Sequence, residues 1–279
     1  MTALDLEAEY NNRARVPEHP QIIEGWARDA AAYRKDCPNT ALDQQYGARA
    51  RNTYDFFPAT SEVKQPLTAM FIHGGYWQAL DKSFFSHMAK GLNAQGFDVA
   101  IANYTLCPDA TISEIIAEMQ ALAAHLSKTH GKPLLVYGHS AGGHLSAALM
   151  ATDWTEHGFE EGIIAAAMPI SGLFELAPLI PTSLNGALGL TEETARDTSP
   201  LFWPKPMNGR FCAVVGGDES SEFLRHSRAL AEAWDGPSLK GTLDIVEGAN
   251  HFTVIGPLAD KDSQLVAALV KLAAAFDLA

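Results

Sequence analysis

The chain has 279 residues, 47% hydrophobic and 19% charged, a composition that excludes a disordered or fibrous protein and leaves room for one large α/β domain or two smaller ones. Its 33 acidic against 20 basic residues give a net charge of −13 with no run of Lys or Arg, so nucleic-acid phosphates and anionic membranes are poor partners. Met1 to Glu7 lacks the basic and apolar regions of a secretory leader, no apolar run reaches the ~20 residues of a membrane span, and Cys37, Cys107 and Cys212 are widely spaced; a cytoplasmic protein with reduced thiols is expected.

In chain order, residues 1–45 read as an acidic helical extension. Ile22, Ile23, Trp26, Ala30 and Tyr33 recur at three- and four-residue spacing, and Pro17 and Pro20 separate that helix from Tyr10-Asn11-Asn12-Arg13. Tyr46 to Phe57 predicts a strand or hairpin arm, and Leu67 to Ile72 a second strand ending at His73-Gly74-Gly75-Tyr76-Trp77. Strand and helix then alternate, with a helix over Ser83 to Ala94, a strand over Val99 to Ala102, and a helix over Ile112 to Leu126. Leu134 to Tyr137 is the next strand, a helix follows Ser140, and Ile163 to Pro169 has the continuous apolar character of a strand buried on both faces. Residues 175–209, with five prolines and three glycines around a short helical segment, predict a lid or cap insertion over a site. A strand at Phe211 to Val215, a helix at Ser221 to Trp234, a strand at Leu243 to Val246 and a closing helix at Ser263 to Leu278 complete the chain. This alternation implies a mostly parallel sheet with helices on both faces.

The stretch with the clearest chemical content is Leu134 to Leu145. Four apolar residues run into Gly138-His139-Ser140-Ala141-Gly142, and a small-residue helix follows; strand, sharp turn and helix are the setting in which a Gly-x-Ser-x-Gly serine is exposed as a nucleophile. A serine hydroxyl needs a base to take its proton and an acid to orient that base. Asp218 follows one strand through Gly216-Gly217, and His251 follows the next through Glu247-Gly248-Ala249-Asn250, so both lie at strand carboxyl ends in the order nucleophile, acid, base. Glu219 is the alternative acid, but it points away if Asp218 projects inward. His139 and His144 read as packing or helix-surface residues, and the ten histidines show no metal-ligand spacing. Neither a metal nor a cofactor is expected. The backbone N–H groups of Gly74, Gly75 and Ala141 are the candidate oxyanion donors, and Tyr76 and Trp77 the candidate walls for an aromatic substrate.

These residues resemble a known family. His73-Gly74-Gly75-Tyr76-Trp77-Gln78, Gly138 to Leu145, Ile170 to Leu176, Gly217 to Phe223 and Asn250-His251-Phe252 are similar to the arylformamidase (kynurenine formamidase) group of α/β-hydrolases, within the wider His-Gly-Gly esterase and lipase branch. The resemblance spans residues 73–252, with a weaker match at Tyr46-Gly47. It implies a single α/β-hydrolase domain over residues 1–279, with Ser140 as nucleophile, Asp218 as acid, His251 as base and Gly74, Gly75 and Ala141 as the oxyanion hole. Gly143 and Gly216-Gly217 depart from the family pattern and leave the acyl- and aryl-group pockets open. The expected partner is a small aryl formamide such as N-formylkynurenine, cleaved through an acyl-enzyme, with the assembly compatible with a homodimer. A short-chain carboxylesterase is the alternative within the class. A non-catalytic ligand-binding protein of the same fold is the alternative outside it, although its usual sign, a broken triad, is missing.

Overall fold

The computed structural model describes residues 4–159, 162–236, 239 and 241–274. Its centre is an eight-stranded sheet: β1 (Ala41–Gln45), β2 (Thr53–Phe57), β3 (Thr68–Ile72), β4 (Asp98–Ala102), β5 (Leu134–His139), β6 (Ile164–Ile170), β7 (Arg210–Gly216) and β8 (Gly241–Val246). The spatial order is β1-β2-β4-β3-β5-β6-β7-β8. β1 and β2 form an antiparallel hairpin, β2 runs antiparallel to β4, and all remaining pairs are parallel. This is the α/β-hydrolase fold.

The central strands are apolar without alternation because both faces are covered, and period-2 geometry still sorts their side chains. Met70, Ile72, Leu134, Val136, Ala213 and Val215 enter one core. There they meet α5 (Ile112–His130), α6 (Ala141–Ala151) and α9 (Ser221–Trp234). Ala69, Phe71, Leu135, Tyr137, Cys212 and Val214 enter the other. It is closed by Trp26 of α3 (His19–Asp36), Leu92 of α4 (Lys90–Ala94), and Leu265, Val266 and Leu269 of α10 (Gln264–Ala274). α5 starts with a reciprocal capping box between Thr111 and Glu114 and stops at Gly131, whose φ of 63° closes the helix in the left-handed region.

Three segments differ from the sequence expectations. Residues 41–45, assigned to the helical extension, form β1; this polar edge strand, with four of its five residues exposed, carries no alternation to read. The helix expected over Ser83 to Ala94 is two 3₁₀ turns, Lys82–Phe84 and Ser86–Ala89, followed by the five-residue α4. The extension itself is α1 (Leu6–Tyr10), α2 (Asn12–Arg15) and α3: the Asn11 side chain caps a new helix start directly after α1, and the break before α3 falls at Pro17, where one was expected. Residues 175–209 hold α7 (Asn185–Leu188) and α8 (Glu192–Asp197) between 3₁₀ turns. The closing helix is described as far as Ala274, and the part expected over residues 275–278 lies outside the described residues. All three cysteines are free and buried. Among the described residues no helix is long and apolar enough to cross a membrane.

Candidate active site

β5 delivers Ser140 into a sharp turn before α6. Its φ of 57° and ψ of −115° are a strained conformation for a residue with a Cβ, at a cost of about 1–3 kcal/mol. The surroundings enforce it: the Ser140 N–H donates to Ile170 O at 2.8 Å, and the His144 N–H to Ser140 O at 3.0 Å. Gly142 is required for the same reason, since a Cβ there would lie 1.9 Å from Ile72 O, where α6 crosses the end of β3.

His251 lies in the loop after β8. The Asn250 carboxamide oxygen accepts from the N–H groups of Phe252 and Thr253 and fixes that loop. The His251 ring donates from Nδ1 to Glu219 Oε2 at 2.6 Å, which in the neutral ring leaves Nε2 free to accept a proton. His139 Nε2 donates to the carbonyl of His251 at 2.8 Å, and the two rings stand 4.7 Å apart. Ser140 and His251 both line one cavity of about 340 Å³, within the size range of small-molecule sites.

The carboxylate facing His251 is Glu219, the alternative to Asp218 in the sequence, and not Asp218 itself. After β7 the chain turns, with the Glu219 N–H donating to Gly216 O, and this sends the Asp218 side chain into solvent while its own N–H donates to Ala249 O. The Glu219 carboxylate folds back into the protein, is buried, and accepts from the Gly216 N–H at 2.8 Å and from the Ser171 hydroxyl as well as from His251. Each oxygen of this buried charge is thus bonded, as a buried carboxylate requires. Ser171, held at a φ of 50° at the end of β6, was noticed in the sequence only as part of a longer matching segment.

The loop after β3 forms the wall beside Ser140. A Cβ at Gly74 would lie 3.0 Å from Ser140 Cβ and 2.9 Å from His139 O, so only glycine allows this approach. Gly75 lines the cavity at a φ of 109°, and its N–H donates to no protein acceptor among the described residues. Ala141 is the first residue of α6, immediately after Ser140. Tyr76, Trp77 and Leu80 all have left-handed φ values. The strain is held in place by Arg51, whose guanidinium donates to Leu80 O and Tyr104 O, and by buried Lys82, paired with Asp43 and Asp55 of the hairpin.

The two aromatic expectations separate. Tyr76 lines the cavity, and its hydroxyl donates to Tyr10 O at 2.6 Å. Trp77 does not line it. Its φ of 56° turns the indole into the core, fully buried, edge-on to His144 at 5.0 Å. The walls that sequence reasoning missed are Tyr10, Asn12 and Arg13 of the N-terminal helices and Trp26 of α3; Thr182 to Leu184 of the 175–209 insertion line the cavity as well. Asn12 reaches the Tyr76 hydroxyl at 3.3 Å. Glu7 accepts from both the N–H and the hydroxyl of Ser183 at 2.7 Å, joining the N-terminal helices to the insertion. Among the described residues no group of three or more His, Cys, Asp or Glu side chains is placed to hold a metal ion.

Burial holds several histidines neutral. His73 and His144 are pushed down to about 4, His226 to about 3, and His139 well below its ordinary value, each chiefly because the cation would be buried. Their folded values lie below the unfolded value of about 6.5, so the unfolded chain binds the extra protons. Stability present above pH ~6.5 is then lost as the pH falls towards 4, by up to about 1.4 kcal/mol per pH unit for each ring. Melting at pH 7.5 and 5.5 should show the midpoint falling by more than about 5 °C. A pH-independent midpoint would contradict the neutral assignments.

The chain is similar to proteins of known class. Residues 55–172 match the family described as BD-FAE. It is 31% identical over 242 residues to the kynurenine formamidase of Salmo salar, covering 84% of this chain and 82% of that protein. A crystal structure from Silicibacter sp. TM1040, described as a candidate thioesterase, superposes with a TM-score of 0.87 at 34% identity, over 96% of this chain and 99% of that one. Esterase B of Lactobacillus rhamnosis shares the fold, with a TM-score of 0.68 at 16% identity over 95% and 96% of the two chains.

Proposed function

We propose, since the chain belongs to the kynurenine formamidase family, that it cleaves the formyl group from an aryl formamide such as N-formylkynurenine through a formyl-enzyme on Ser140. At the coarser level it is a hydrolase of the formamidase and esterase type. The observation that carries the finer reading is the Glu219 to His251 hydrogen bond at the cavity that Ser140 also lines.

In this reading Ser140 Oγ attacks the formyl carbon while His251 Nε2 takes the hydroxyl proton. Glu219 holds the imidazole in the Nδ1–H tautomer and stabilises the imidazolium that forms. The oxygen of the tetrahedral intermediate points to the N–H groups of Gly75 and Ala141, with Gly74 giving the space for that approach. Collapse breaks the C–N bond, and the proton on Nε2 passes to the departing aryl amine. Water then attacks the formyl ester, giving its proton to Nε2; the C–Oγ bond breaks, formate leaves, and the proton returns to Ser140 Oγ.

Catalytic efficiency on N-formylkynurenine, compared with p-nitrophenyl acetate and butyrate, tests the substrate class. The expected result is a kcat/KM at least tenfold higher for the formamide, about 1.4 kcal/mol in favour of its transition state. A ratio strongly favouring the simple esters would make the chain a short-chain carboxylesterase instead.

A further inference from the structure

The cavity above Ser140 is closed by two short helices that carry opposite charges. Arg13 of α2 is the only Lys or Arg among the residues lining it, in a chain of net charge −13. Its guanidinium forms no ion pair or hydrogen bond among the described residues. Glu7 of α1 lines the same cavity, and its carboxylate is held below the usual range by the Ser183 N–H and hydroxyl, so it is ionised at neutral pH. Two hydrogen bonds leave a carboxylate with lone pairs for another donor. The two charges do not pair with each other; the groups acting on Glu7 are Ser183 and Asp5. An unpaired cation and a fixed anion on one wall are complementary to a ligand carrying both signs.

The helices are anchored to the body of the fold. Tyr10, at the end of α1, is buried against Phe223 and His226 of α9, its hydroxyl donating to Glu222 at 2.6 Å. Glu9 accepts from the Ser221 hydroxyl and from the Glu222 N–H, capping the start of α9. Asn12 and Tyr10 O hold the Tyr76 hydroxyl, tying this wall to the loop beside Ser140.

We propose that Glu7 and Arg13 form a subsite for a zwitterionic α-amino-acid group on the amine half of the substrate, with Arg13 binding its carboxylate and Glu7 its ammonium. This rests on the formamidase reading and narrows it to aryl formamides that bear an amino-acid side chain. Because the subsite touches the part of the substrate that does not react, it acts through KM and leaves kcat nearly unchanged.

Full-length wild type and Arg13→Gln are compared on N-formylkynurenine, its methyl ester and formanilide. Arg13→Gln is expected to raise KM for N-formylkynurenine by about 10- to 100-fold, with kcat within about twofold and the two substrates that lack a carboxylate unaffected. An unchanged KM, or an equal loss on all three substrates, overturns the subsite. Calorimetric binding of kynurenine and its methyl ester is the second readout and needs no turnover. Esterification should weaken binding to wild type by a similar factor and leave binding to Arg13→Gln unaltered, and equal binding of acid and ester by wild type overturns the proposal. Removing the amino group from the ligand should weaken binding to wild type but not to Glu7→Gln; no effect on wild type removes the ammonium contact. If wild type hydrolyses none of the three formamides, the formamidase reading fails, and kynurenine binding alone then decides the subsite.

Discussion

Glu219→Gln lowers kcat by about 10³- to 10⁴-fold, while Asp218→Asn stays within about threefold of wild type. The asymmetry follows from where the two carboxyl groups point. Glu219 is buried and accepts a hydrogen bond from His251 Nδ1–H at 2.6 Å, whereas Asp218 is exposed. Glutamine keeps the shape of the side chain, but its amide can present an N–H to His251, which selects the wrong imidazole tautomer and removes the charge that stabilises imidazolium; such changes cost about 10⁴ in kcat in serine hydrolases. Ser171 and the Gly216 N–H both donate to Oε1, so the oxygen of the new amide is drawn to that side and the NH₂ is left facing His251. Steady-state rates on a formamide substrate, with melting curves showing that both variants fold, separate the two residues. A large loss in Asp218→Asn with an active Glu219→Gln would restore Asp218 as the acid.

How far the sequence could see is clearest at this pair. The strand and its carboxyl end were legible, because Phe211 to Val215 is an apolar run that must be buried on both faces. Which of two adjacent carboxylates turns inward was not. Period-2 alternation ends with the strand, and the turn from Gly216 to Glu219 depends on hydrogen bonds to Ala249 and Val246, set by the packing of β7 against β8. The elbow at Ser140 was legible because its needs are local: small neighbours, an entering strand and a following helix. Trp77 was misread because an aromatic beside a pocket and an aromatic beneath it look alike until the left-handed backbone at Tyr76 and Trp77 decides which ring turns outward. The N-terminal wall was the hardest part to read. Its helices were visible, but the contacts that bring Tyr10 to Glu222 and Glu7 to Ser183 join residues 212 and 176 positions apart, and no pattern in either segment encodes them.

Ser140→Ala removes the attacking oxygen and lowers kcat by about 10⁵-fold or more. The residue left by such a substitution is what oxyanion donors and binding supply without a nucleophile, because the members of a serine triad act as a unit. Gly75, Ala141 and the cavity are untouched by the change, so substrate binding persists while turnover stops. The most direct test is covalent: folded protein treated with a fluorophosphonate probe, then intact mass and peptide mapping. One adduct per chain is expected on the peptide containing Ser140, and none on Ser140→Ala, whose formamidase and esterase activities should both be lost. Labelling at another residue, or Ser140→Ala retaining wild-type turnover, would contradict Ser140 as the nucleophile.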